Sequence, residues 1–166
     1  SPLVQGAMRI ARPWALELEY TREMMLPLLL RAGAGWPRTV LQVGLGAASL
    51  TRFLHRHRPA TRVTVVEIDP AVVAAARQHF RLPGESPKLR IVVGDAADYL
   101  ARARGPRDVI LVDGFDGQGR AGPLETVPFY LNCRAHLGER GVVAVNLLGR
   151  PGPARVGALL RDAFEG

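Results

Sequence analysis

The chain has 166 residues, of which 48% are hydrophobic and 22% are charged. These are ordinary proportions for a globular protein, and they exclude disorder as the main state of the chain. No apolar run approaches the roughly 20 residues of a membrane span, and the first residues lack the pattern of a secretory signal. We therefore expect a cytoplasmic protein. A single cysteine, Cys133, excludes an internal disulfide framework.

The net charge of +7 comes almost entirely from arginine, since Lys88 is the only lysine. The arginines are scattered along the whole chain, and aromatic residues amount to only 6%. Binding of nucleic acid is typical of a basic stripe interleaved with aromatic side chains, so this pattern argues against a nucleic-acid partner.

The first part of the chain predicts a short extension ahead of the main domain. Leu3–Ile10 and Ala15–Glu19 predict a small β-hairpin around Arg12 and Pro13, and Tyr20–Leu30 predicts a helix that leads into the first strand of a sheet. We therefore assign residues 1–37 to an N-terminal β extension with a lead-in helix.

From residue 38 onward, strands alternate with helices. Apolar runs predict strands at Thr39–Val43, Arg62–Glu67, Leu89–Val93, Asp108–Asp113 and Gly141–Leu147. Helices are predicted at Ala48–His57, Pro70–Phe80, Ala96–Ala103, Leu124–Leu137 and Pro153–Phe164. Continuous Val, Ile and Leu runs indicate strands covered on both faces. The sequence thus predicts a doubly wound, Rossmann-like α/β domain over residues 38–166, with a mostly parallel sheet.

Glycines and acids follow the first four strands, where an open α/β sheet binds its ligands. Gly44 and Gly46, with Ala47 after them, lie between the first strand and a helix. Glycines let the backbone approach a ligand, and the helix N-terminus adds a partial positive charge. The alternative interpretation is a tight turn without a ligand. Either way, the acids gathered at this edge make it the candidate site.

Two acids fit an adenosine ligand. Glu67 ends the second strand about 20 residues beyond the glycines, where a carboxylate accepts hydrogen bonds from ribose hydroxyls. An exposed strand-end acid is the alternative. Asp95, followed by Ala96, is equally compatible with a helix N-cap and with a contact to an adenine amino group. Asp69 precedes Pro70 and predicts an N-cap with proline at the first helical position.

The loop after the fourth strand carries Asp113 and Asp116. Two carboxylates there could bind a cationic substrate and remove a proton from an amine. A solvated acidic loop is one alternative. A metal site is another, but no histidine lies nearby in sequence, so we expect no metal. Tyr20 could reach the same edge of the sheet, and packing in the core or at the surface is the alternative interpretation.

The motifs in this order resemble a known family. They are Val40–Gly46, Val66–Pro70, Gly94–Ala96, Asp108–Asp113, Gly122–Glu125 with Phe129 and Tyr130, and Glu19-Tyr20 with Met24-Met25. Together they resemble the spermidine synthases, or polyamine aminopropyltransferases, which share the fold of class I S-adenosylmethionine-dependent methyltransferases. The similarity extends over nearly the whole chain.

The resemblance implies transfer of an aminopropyl group from decarboxylated S-adenosylmethionine to an amine. It implies that Glu67 holds the ribose, that Asp95 and Ala96 hold the adenine, and that Asp113 is the general base. Asp116 would bind the polyamine, with Tyr20 as a further substrate contact. The glycine loop, with Gly44, Gly46 and Ala47, would carry the nucleoside. The expected partners are a small-molecule amine and a second copy in a homodimer, with neither nucleic acid nor a membrane.

Two positions depart from the pattern, and one is Gly117, which stands where the family's acidic loop carries a proline. Ala47 stands where the family carries an aspartate that pairs with the aminopropyl ammonium. A neutral side chain there also removes a repulsion against the carboxylate of intact S-adenosylmethionine. A methyltransferase that uses the intact donor, or a non-catalytic protein on the same fold, therefore stays open as an alternative.

Overall fold

The computed structural model describes residues 6–31, 33, 35–114, 124–147 and 153–165. Within these ranges the strands are β1 Thr39–Val43, β2 Arg62–Glu67, β3 Leu89–Val93, β4 Arg107–Val112 and β5 Leu137–Val145. The helices are α1 Glu19–Met24, α2 Ser49–His57, α3 Pro70–His79, α4 Ala96–Arg102, α5 Val127–Ala135 and α6 Pro153–Glu165. None of these helices, over the ranges described, is both long and apolar enough to cross a membrane.

The strands that the structure describes form one sheet in the order β3-β2-β1-β4-β5, and every pairing between them is parallel. The chain winds outward from β1 to β3 on one side and then returns to place β4 on the other side of β1. The order therefore reverses between β1 and β4, which is where ligands bind in folds of this type. The predicted doubly wound α/β class is confirmed, with an all-parallel sheet.

Both faces of the sheet are covered by helices. On one face Val40, Val65 and Leu111 pack with Leu50 and Leu54 of α2. On the other face the neighbouring strand residues pack with α4, α5 and α6; this second cluster includes Leu41, Val66, Ile110, Leu100, Phe129, Cys133 and Val156. Successive strand side chains point to opposite faces, so the uninterrupted apolar strands supply both halves of the core.

The N-terminal prediction was wrong in its details. Residues 3–5 of the expected hairpin lie outside the described residues, and over the rest of it the antiparallel pairing is one bridge between Arg9 and Arg12. The predicted helix over Tyr20–Leu30 is instead α1 followed by a short 3₁₀ helix, Leu26–Leu29. Pro27 lies in the first turn of that 3₁₀ helix, where it is tolerated, but it cannot continue the hydrogen bonding of α1. The division of the chain at residue 37 stays a prediction.

Candidate functional site

The candidate site lies where the sheet order reverses, at the carboxyl ends of β1 and β4. Gly44 follows β1 with φ +88, a conformation that side chains rarely adopt. A Cβ at Gly44 would overlap the carbonyl group of Asp113 and would lie 2.9 Å from the Cα of Gly114. Glycine is therefore required for the loop after β1 to touch the segment after β4. This contact brings the predicted ligand loop and the predicted base together.

Three buried side chains hold the loop over residues 44–48, which we call the glycine loop. Gln42 in β1 donates from Nε2 to the carbonyl of Gly44 at 2.9 Å and accepts from Thr51. The backbone N–H of Leu45 donates to Glu67 Oε2 at 2.8 Å. Arg52 in α2 donates to the carbonyl of Ala47. The loop backbone is thus fixed by side chains of β1, β2 and α2.

Glu67 is only 8% exposed, so it is not the solvated strand-end acid of the alternative interpretation. Its Oε2 holds the loop at Leu45, and its Oε1 accepts from the backbone N–H of Asp69 at 3.0 Å. Each carboxylate oxygen has lone pairs for a further donor. Glu67 can therefore fix the loop and still accept from a ligand hydroxyl.

The two Asp residues that precede helices are both N-caps. Asp69 accepts from the backbone N–H of Ala71 at 2.8 Å, which confirms the predicted cap of α3. Asp95 accepts from Ala97 at 2.8 Å and from Asp98 at 3.0 Å. Both bonds to Asp95 are made by Oδ1, so the cap does not use Oδ2. The capping role is therefore established for Asp95, and the adenine contact stays a prediction compatible with it.

A polar cluster surrounds Asp113. Asn146, which follows β5, donates from Nδ2 to Asp113 Oδ1 at 2.8 Å. Burial raises the pKa of the Tyr20 hydroxyl, and the negative charge of Asp113 raises it further. Tyr20, from α1, is therefore close enough to Asp113 to interact with it electrostatically and is held in its neutral form. The cluster joins residues that lie far apart in the sequence.

The side chain of Ala47 faces the N-terminal part of the chain. A Cβ at Gly6 would overlap the Cβ of Ala47 and lie 3.5 Å from its backbone nitrogen. Gly46, by contrast, has φ +51 and nothing within 4 Å of the position of a Cβ. One side of the glycine loop is thus covered by residue 6, and the side at Gly46 is open.

The structure brings most of the predicted site residues to one edge, but it also adds some. Gln42, Arg52 and Asn146 support the loop and the carboxylate, and sequence reasoning missed all three. Asn146 could have been predicted from the sequence, because it directly follows β5, just as acids lie at or just after the ends of other strands. Asp116 lies outside the described residues. Over the described ranges, no group of three His, Cys, Asp or Glu side chains could hold a metal ion; a metal-free site stays a prediction.

The sheet order and the loop at the reversal point define a Rossmann-like fold of the methyltransferase type. Solved structures with this fold include human methyltransferase-like protein 13 in complex with SAH, which is 30% identical with a TM-score of 0.76 over 90% of this chain and 74% of that one. Spermidine synthase from Thermotoga maritima is 25% identical with a TM-score of 0.69, over 90% of this chain and 50% of that one.

The sequence comparisons specify the family. The spermine/spermidine synthase domain matches residues 19–146, and the chain belongs to this family. A polyamine aminopropyltransferase of Neisseria meningitidis serogroup A is 40% identical over 146 residues, which cover 88% of this chain and 55% of the relative. The chain therefore spans about half the length of the curated relative it matches.

Proposed function

We propose that the chain carries the donor site and catalytic base of an aminopropyltransferase. It binds decarboxylated S-adenosylmethionine at the glycine loop and transfers the aminopropyl group to a small amine. Family membership supports this activity, as do the relatives named polyamine aminopropyltransferase. The observation that carries the proposal is the contact between Gly44 and Asp113, which puts a candidate base beside the loop that would hold the donor.

In this proposal the nucleoside lies across the ends of β1, β2 and β3. Glu67 accepts from the ribose hydroxyls while it holds Leu45, and Asp95 accepts from the adenine amino group through the oxygen that the helix cap does not use. Ala96 lies beside Asp95 at the start of α4 and contributes to the adenine contact. The open side of the glycine loop at Gly46 gives the ligand access to the backbone.

The chemistry requires a neutral amine. Asp113 takes a proton from the acceptor ammonium, and the nitrogen then attacks the donor methylene bonded to the sulfonium. The new C–N bond forms as the C–S bond breaks, and sulfur keeps the electron pair, so neutral methylthioadenosine leaves. Asn146 orients the carboxylate through Oδ1. Tyr20 and Asp116 complete the acceptor side as substrate contacts.

Asp113→Asn tests this assignment. The variant keeps the shape of the side chain but cannot take the proton, so turnover should fall by at least about a hundredfold, the lower range for general base catalysis. Methylthioadenosine affinity, measured by calorimetry, should stay within about twofold, because the base acts on the acceptor. Full turnover by the variant would contradict the proposal. Loss of nucleoside binding would instead assign Asp113 a structural role.

A second candidate function is methyl transfer from intact S-adenosylmethionine. Two observations favour it: Ala47 is neutral and covered by Gly6, and the methyltransferase-like neighbour is 30% identical to this chain. Titration of the wild-type protein with intact and decarboxylated donors separates the candidates. A preference of a hundredfold or more for the decarboxylated donor would exclude the methyltransferase, and the opposite preference would exclude the aminopropyltransferase.

A further inference from the structure

The guanidinium of Arg52 is an unusual feature of the core. The residue lies in α2 and is only 4% exposed. Among the residues that the structure describes, no carboxylate forms an ion pair with it, and its Nη2 has no hydrogen-bond acceptor. Burial lowers its pKa to about 10. An unpaired buried cation is costly, so packing alone does not explain an arginine at this position.

The hydrogen bonds of Arg52 join three separate segments. Nε donates to the carbonyl of Pro13 at 2.5 Å, and Nη1 donates to the carbonyls of Ala47 and of Phe80, the latter at 2.6 Å. Pro13 belongs to the N-terminal residues, Ala47 to the glycine loop and Phe80 to the end of α3. One rigid, planar group therefore fixes the distance between the N-terminal residues and the loop.

Residues 6–15, which we call the N-terminal segment, also touch the loop directly. Gly6 lies so close that any side chain there would overlap Ala47. Ser49, at the start of α2, donates to the carbonyl of Ala7 at 3.3 Å. One turn beyond Arg52, the guanidinium of Arg56 lies 5.0 Å from the ring centre of Trp14. The segment thus lies against Ala47 of the glycine loop and against α2.

We propose that Arg52 is a positioning residue that couples the N-terminal segment to the glycine loop, so that nucleoside binding at the loop and ordering of the segment favour each other. The nucleoside part rests on the proposed function. When the Ala47 carbonyl shifts, the Arg52 guanidinium moves with it and its hydrogen bond to Pro13 is disturbed. Conversely, when the N-terminal segment detaches, Arg52 loses its bond to Pro13 and holds Ala47 less firmly. Because such a linkage is reciprocal, whatever orders one partner must tighten the other.

The chain offers a matched pair of variants. Arg52→Lys keeps the charge but removes the planar group that reaches three carbonyls, whereas Arg56→Gln removes only a contact to Trp14 in the same segment. Hydrogen–deuterium exchange is followed for peptides of the N-terminal segment and of the glycine loop, with and without methylthioadenosine. Calorimetry with methylthioadenosine gives the affinity, and thermal unfolding shows whether each variant is folded.

Different outcomes are expected for the two variants. Arg56→Gln should exchange faster in the N-terminal segment only and bind methylthioadenosine within about twofold of wild type. Arg52→Lys should exchange faster in both regions and bind about tenfold more weakly, within the usual range of coupling between sites. In wild type the nucleoside should slow exchange in the N-terminal segment, and in Arg52→Lys this protection should disappear.

Several results would overturn the inference. Wild-type affinity in Arg52→Lys would do so, and so would nucleoside-dependent protection that persists in that variant. If Arg52→Lys does not fold, Gly6→Ala replaces it, because a Cβ at residue 6 would overlap Ala47 and loosen the N-terminal segment at its other end. This variant should also bind the nucleoside more weakly than wild type, and unchanged affinity would contradict the coupling. If wild type binds no methylthioadenosine, the proposed function fails. The coupling can then still be tested without ligand. The glycine loop should exchange faster in Arg52→Lys than in wild type and at the wild-type rate in Arg56→Gln, and equal rates in all three proteins would contradict the coupling.

Discussion

Glu67 performs a structural task at the same atoms with which it would bind a ligand. Its two carboxylate oxygens accept from the backbone N–H groups of Leu45 and Asp69, and the residue is 8% exposed. The family resemblance explains an acid here by its ligand, but the fold alone already requires two acceptors at this point. A carboxylate supplies them, because every side-chain group it presents is an acceptor.

Glu67→Gln should therefore destabilise the protein even without ligand. One of its two oxygens becomes an NH₂ group, which would face the N–H of Leu45 or of Asp69 and leave that donor unsatisfied. The free energy of unfolding should fall by about 1–3 kcal/mol, measured by urea denaturation. Asp69→Asn is the control, since asparagine caps a helix about as well as aspartate. Equal stability of Glu67→Gln and wild type would show that the loop does not depend on this carboxylate.

The acids of the site could be predicted from the sequence, whereas their supporting residues could not. Glu67, Asp95 and Asp113 each follow an apolar run, and strand ends in a parallel sheet meet at one edge. Gln42 and Arg52 lie inside a strand and a helix, where a polar residue has no local signal. Gln42 also accepts from Thr51 of the next helix, and Arg52 donates to the carbonyls of Pro13 and Phe80, which only the tertiary structure brings near.

At the scale of elements, α4 depends on its cap. Asp95 accepts from two of the N–H groups that the first turn leaves without helical partners. Asp95→Ala should lower the free energy of unfolding by about 0.5–2 kcal/mol, whereas Asp95→Asn should restore most of it. If Asp95 also binds adenine, Asp95→Asn should still weaken methylthioadenosine binding. The asparagine oxygen keeps the cap, so the position that faces the adenine amino group becomes an NH₂ group, which donates and cannot accept. Wild-type affinity in Asp95→Asn would restrict Asp95 to capping.

Elements with strong local patterns were predicted accurately, and the others were not. Three strands, β1 to β3, have the predicted limits. The last strand begins at Leu137 rather than at the predicted Gly141, because Leu137 pairs with Arg107 of β4 across a register shift. The local sequence around Leu137 does not predict its pairing with Arg107. The N-terminal prediction expected a hairpin, although residues 6–15 contact the glycine loop and α2 instead.

At the scale of the whole molecule, the class of fold followed from alternation alone. Helices that follow each strand must cover a parallel sheet on both faces, and the two core clusters show that they do. The position of the N-terminal segment did not follow, because its contacts, such as those of Pro13 with Arg52 and of Gly6 with Ala47, join residues that lie far apart in the sequence. The path that residues 6–15 take across the loop is therefore a property of the tertiary structure.

The stability of the whole molecule should fall in alkaline solution, and Cys133 should account for part of the fall. Cys133 lies in α5 and is fully buried, and burial raises the pKa of its thiol from 9.0 to about 12. Above pH 9 the unfolded chain loses this proton while the folded protein keeps it. The unfolded state then binds fewer protons, so the free energy of unfolding decreases as pH rises.

Between pH 9 and pH 10 this thiol should cost about 1 kcal/mol, which denaturant unfolding at each pH can measure. Cys133→Ala should be less stable than wild type at pH 8, because it leaves a small cavity. It should nevertheless lose about 1 kcal/mol less between pH 9 and pH 10. Tyr20 and Arg52, whose pKa values burial also shifts, are present in both proteins, so the difference in slope isolates the thiol. Identical slopes would show that the Cys133 thiol ionises equally in the folded and unfolded states.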